Sequence, residues 1–292
     1  MPDKKPPVVD FGIPRRIELE YQAAIRKLIV PEIPKKTEDM SFQEWLQTHA
    51  RISERRDIAD AAAHLAGQMV LWVNVVNART WRAASARSQR SAMLYRLLQR
   101  EMSEPVGRLY RDLVRENAQY ISSVPADVAS HLTGEIASAQ QAGARPETIS
   151  RMMRIRFPEL TGSRIQLIAR TETMKASSAL TQVRSEELNL PFYIWITSMD
   201  GRVRPSHRNL NGVVIPWNDP PSPEDLIGVR SSLGHYHSGN CPNCRCTQIV
   251  VLTLDDVFQF GPVARVYNQG RIVNMGRAQF VRFSGLREER AA

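Results

Sequence analysis

Pro191-Phe-Tyr-Ile-Trp-Ile-Thr-Ser198 is where the chain changes its apolar period from helix to strand, and the fold class turns on it. Its aromatic and β-branched residues suit a pleated, half-buried surface. Upstream, Ser163 is placed to cap a helix whose stripe of Ile165, Ala169, Ala176, Leu180 and Val183 buries one face. Downstream, Asp200-Gly201 predicts a hairpin turn before Arg202-Val-Arg204. Asn211-Gly212 precedes a short strand, Val213–Trp217, and after the Pro-rich loop 216–223 the run Thr247–Leu254 reads as the last strand.

Further upstream the pattern is helical. Ser41 with Glu44 forms a capping box, and apolar residues recur at three- and four-residue spacing from Ile58 to Val76. Met93, Leu97 and Leu98, then Leu109 and Leu113 after Pro105, predict two more helices. Pro125 and Gly143 read as the start and stop of another, and a short helix opening at Arg145-Pro146 is expected to end at Pro158. Six prolines within residues 1–40 allow only a short amphipathic helix, roughly Pro14 to Leu28, in an otherwise extended arm.

The expected fold class is α+β: an N-terminal mainly helical region, then a small antiparallel β-rich lobe, with extended N- and C-terminal arms. The boundaries are an arm over 1–40, a helical region over 41–124, a domain over 125–260 (helices 125–190, lobe 191–260) and a basic tail over 261–292.

Charge and length exclude several classes. No run approaches the roughly 18 apolar residues of a membrane helix, since the best stretch, Leu65–Ala78, is broken by Gln68, Asn74 and Asn77. The Pro- and Lys-rich N-terminus lacks the apolar core of a secretory signal. The formal charge is +9, and 33 of the 39 basic residues are arginine, which pairs bidentately with phosphate. Twelve arginines lie between Arg51 and Arg115. They read either as the solvated face of a helical hairpin or as a surface toward DNA or an acidic partner, with Arg79, Arg82, Arg87 and Arg90 as the candidate contacts. No sequence-reading motif accompanies them, so binding would be to phosphates.

Chemistry concentrates in one block. All three cysteines fall within Cys241-Pro-Asn-Cys244-Arg-Cys246, and three of six histidines, His207, His235 and His237, lie within forty residues of them. An odd count packed so tightly is a poor disulfide framework. Cys241 and Cys244 have the spacing at which two thiolates meet one ion. Cys246 and a histidine would complete a structural zinc site: His207 first, His235 or His237 as alternatives. The other reading is small buried thiols beside polar surface histidines.

The order Trp195-Ile-Thr197, Asp200-Gly-Arg202-Val-Arg204, His207, Gly212, a long Pro-rich loop and Asn243-Cys244-Arg245-Cys246 before an apolar strand resembles the phage Mu protein F-like family of minor head proteins. Ile168-Ala-Arg170-Thr171-Glu172-Thr173 resembles the helix that this family places before its first strand. The resemblance covers about residues 125–254. It implies a non-enzymatic minor capsid protein acting in head morphogenesis. Its partners would be the portal and major capsid proteins, in several copies per particle, with packaged double-stranded DNA nearby. It would reside in the virion and, during assembly, the host cytoplasm. A metal-dependent nuclease of the His-Asn-His kind, using His207, Asn209 and His235 or His237, and a non-specific DNA-binding adaptor are the alternatives.

Overall fold

A computed structural model describes residues 9–34, 40–85 and 104–286. The predicted helix around Met93–Leu98, with Arg87 and Arg90, falls outside them. The chain divides into a helical unit, Pro14–Trp72 with Tyr110–Thr173, and a sheet unit, Met1–Ile13 with Val73–Leu109 and Met174–Ala292. No helix among the described residues is long and apolar enough to cross a membrane.

The long helices are α1 (Arg15–Ile29), α2 (Phe42–Ser53), α3 (Arg56–Ser85), α4 (Glu104–Gln141) and α5 (Pro146–Glu187), of which α3, α4 and α5 contribute to both units. The capping box of α2 forms as the spacing predicts, Ser41 Oγ accepting from the Glu44 amide at 3.2 Å. Helix α1 is not part of an arm: Ile17, Tyr21, Ile25 and Ile29 are buried, and Tyr21 donates to Asn117 Oδ1 at 3.2 Å.

Two prolines do not break helices as expected. Pro125 lies inside α4, where the next amide, Ala126 N–H, donates to Ser53 Oγ at 3.1 Å and so finds a partner outside the helix. Pro158 lies inside α5, whose adjoining residues Phe157, Thr161 and Ile165 are all buried. Phe157 packs edge-on against Trp45 at 4.9 Å and His49 at 4.7 Å between ring centroids. Tertiary burial outweighs the roughly 3 kcal/mol local penalty of an internal proline.

The sheet unit contains β1 (Phe192–Ile196), β2 (Val213–Pro216), β3 (Thr247–Val250), β4 (Val263–Asn268) and β5 (Arg271–Gly276), ordered β3-β1-β2-β4-β5. All neighbours are antiparallel except β2 and β4, which run parallel, so the expected antiparallel sheet is mixed. Interior strand β1, between β3 and β2, is covered on both sides. Phe192 and Ile194 join Val214, Ile249, Val266 and Phe280 on one face; Tyr193 and Trp195 join Val213, Ile215, Trp217 and Tyr267 on the other. Alternation of period two therefore feeds two cores.

One further expectation is corrected here. Residues 261–286 are not a tail: β4 and β5 form a hairpin, and α8 (Arg277–Ser284) buries Phe280 completely, after the short helix α7 (Leu254–Val257). The turn Gln269-Gly270 has positive φ at both residues, 47° and 82°, which matches the right-handed twist of the flanking strands. In the N-terminal segment, Phe11 N–H donates to Gln248 O at 3.0 Å and the ring packs on Trp81 at 4.9 Å, covering the open edge of β3.

Candidate functional site

The loop after β1 is not a hairpin. Asp200 accepts the Arg202 amide at 3.0 Å, and Pro205, pre-set for the first helical turn, starts α6 (Pro205–Leu210) in place of a strand. This short helix points Ser206 and His207 inward. Gly212, with φ 75°, turns the chain back so that its amide donates to Trp195 O at 2.8 Å and β2 begins.

The second half of the site is the loop 235–246. At Gly239, φ is 88° and an added Cβ would lie 3.2 Å from both Met174 O and Ser178 Cβ, so only glycine allows this approach to α5. Cys244 N–H donates to Cys241 O at 3.1 Å, closing a tight turn in which Asn243 takes φ 59°, a conformation asparagine tolerates better than most residues.

These elements bring His207 and all three cysteines together, buried over the aromatic face of the sheet. His207 Nδ1 lies 3.3 Å from Cys246 Sγ and 3.7 Å from Cys244 Sγ; Nε2 lies 3.7 Å from Cys241 Sγ and 3.0 Å from Tyr236 Oη. Tyr236 donates to the buried Glu224 carboxylate at 2.9 Å, which also accepts from Ser206 Oγ at 3.0 Å. Because Glu224 takes the tyrosine proton, Tyr236 Oη is left to accept from His207 Nε2–H, and Nδ1 turns its lone pair toward the sulfurs. Cys244 is the most acidic thiol, since Cys241 and Cys246 hydrogen-bond to it and His207 stands close; those bonds and burial push Cys241 and Cys246 up.

A polar outer layer surrounds the cluster. Arg204 Nη1 reaches Cys241 Sγ at 2.7 Å and Nη2 reaches Pro242 O at 2.9 Å. Arg245 grips Asp200 with both guanidinium nitrogens, Nη2 to Oδ1 at 2.8 Å. That fork holds the Asp200 carboxyl down at about 2. Arg202 is exposed beside them.

The other predicted residues lie elsewhere. His235 is exposed and bonds Pro220 O at 2.8 Å; His237 is buried against Tyr193 Oη at 3.2 Å. Asn209 is held by Arg265, which donates to its carbonyl at 2.7 Å. In the helical unit, Arg170 pairs with Glu18 at 3.1 Å, and the buried Glu172 accepts from Asn117 Nδ2 at 3.3 Å, next to Thr171 in α5. Arg79 and Arg82 are on the exposed side of α3. Sequence reasoning missed Glu224, Ser206 and Tyr236. The one available signal was an aromatic residue between two histidines.

Desolvation holds the His237 imidazole down at about 4. An unfolded chain takes up that proton near pH 6.5. Between these values the unfolded state binds more protons, so stability falls as pH drops from about 6.5 to about 4 and levels off below, by up to about 3 kcal/mol. Urea midpoints across this range are expected to fall less steeply in His237→Gln than in the parent; equal slopes would refute the assignment.

The fold and site define an α+β protein with a buried Cys/His block in its sheet unit. Residues 130–249 match the family described as Phage Mu protein F like protein. An uncharacterized protein of Haemophilus influenzae is 31% identical over 140 residues, covering 48% of this chain and 29% of its own length. The chain thus spans less than a third of that curated relative. No solved structure matches.

Proposed function

We propose that the protein is a structural, non-enzymatic minor component of a tailed-phage head, acting in head morphogenesis. The observation that carries this is the family match over 130–249, which holds the whole Cys/His block. The geometry supports a structural reading of that block: His207 is engaged at both ring nitrogens, and the cysteines face one another beneath a layer of arginines. Portal and major capsid proteins are the proposed partners, in the virion and in the host cytoplasm during assembly. Packaged double-stranded DNA is proposed to lie near the arginines of the helical region, Arg79 and Arg82 among them. The nuclease alternative has no geometric support, because Asn209, His235 and His237 are each bonded away from His207.

Mass spectrometry of purified particles tests the reading. The protein is expected in heads and co-purifying with portal or coat protein, and its absence from both would overturn the proposal. Incubation with plasmid DNA and divalent metals is expected to give no cleavage. Any DNA binding should weaken steeply with salt, as phosphate contacts require.

A further inference from the structure

We propose that Cys241, Cys244, Cys246 and His207 hold a single structural zinc ion in a closed three-sulfur, one-nitrogen site. This is independent of the phage-head reading. Zinc bonds of about 2.3 Å to sulfur and about 2.0 Å to imidazole nitrogen set a tetrahedral sulfur–nitrogen edge of about 3.5 Å. His207 Nδ1 lies 3.3 Å from Cys246 Sγ and 3.7 Å from Cys244 Sγ, on either side of that value. The ligand atoms of His207, Cys241 and Cys244 are within 4.8 Å of one another, and Cys241 Sγ, which stands 3.7 Å from Nε2, has to turn toward the Nδ1 side to complete the set.

The surroundings are those of a metal site. Metal-bound imidazole normally directs its other N–H to an oxygen that fixes the tautomer. Here Tyr236, itself held by Glu224, takes that part and leaves Nδ1 aimed at the sulfurs of Cys244 and Cys246. Three thiolates around a divalent ion carry a net charge of −1, and the Arg204 guanidinium, 2.7 Å from Cys241 Sγ, supplies the opposite charge. The buried Trp195 indole nitrogen, which has no oxygen acceptor, lies beside Cys246 and would donate to its thiolate. Binding releases three thiol protons to solvent. An all-thiolate and imidazole set in a buried position suits zinc over harder ions.

The test uses the full chain, expressed with zinc present and purified under reductant. Elemental analysis is expected to find a single zinc per chain in the parent and in His235→Ala, and loss of it in Cys246→Ser and His207→Ala. In Tyr236→Phe the stoichiometry should hold while affinity, measured against a competing chelator, falls at least tenfold. Should the ligand variants fail to fold, cobalt loading of the parent decides: tetrahedral d–d bands with sulfur-to-cobalt charge transfer support the site. A parent without zinc or these bands, with three thiols reacting freely in the native state, overturns the proposal. Zinc content unchanged in Cys246→Ser and His207→Ala also overturns the ligand set.

Discussion

Deletion from Gly261 onward is expected to unfold the sheet unit. The deletion removes β4, β5 and α8, and with them Val266, Met275 and Phe280 from one face of the sheet. Burying three such side chains stabilises by roughly 5–9 kcal/mol, comparable with the whole stability of an ordinary domain, about 5–15 kcal/mol. It also strips the parallel partner from β2, exposing the Val213 and Val214 edge. Circular dichroism and urea unfolding should show loss of the cooperative sheet transition and aggregation of the truncated chain. A dispensable tail would leave the midpoint unchanged.

Trp195→Ala carries the second large effect. The side chain is fully buried on the interior strand β1, edge-on to His207 at 5.4 Å and 6.3 Å from the Tyr236 ring. Truncation leaves a cavity under the Cys/His block at a cost of about 3–5 kcal/mol. Trp195→Phe retains most of the packing and removes the indole N–H with a part of the ring, so it should cost far less. Matched losses in the two variants, read from urea midpoints, would show that packing is not what the indole contributes.

How much of this was legible in the sequence follows from where the information is local. Strand β1 was readable because an aromatic, β-branched run needs a two-sided core, and α2 because Ser41 and Glu44 cap it within four residues. The His207–Cys pairing was readable as a set of donor types. The continuity of α4 and α5 through Pro125 and Pro158 was not, because the compensating partners, Ser53 in one case and the Trp45–His49 aromatic cluster in the other, are far away in sequence. The β4–β5 hairpin was hidden because Gln269 holds a position where Asn or Asp would have announced the turn. Glu224 and Tyr236 were hidden for a related reason. They sit in an irregular loop whose shape comes from side-chain hydrogen bonds, which leave no periodicity to read.

The role assigned to the Cys/His block is to fasten α6 and the 241–246 loop onto the aromatic face of the sheet. Hydrogen–deuterium exchange of the intact chain, parent against Cys244→Ser, examines that role most directly. The expected result is faster exchange across β1, β2, β3 and α6, with the α4 amides of the helical unit unchanged. Identical protection of 192–250 in both proteins would mean that the block fastens nothing.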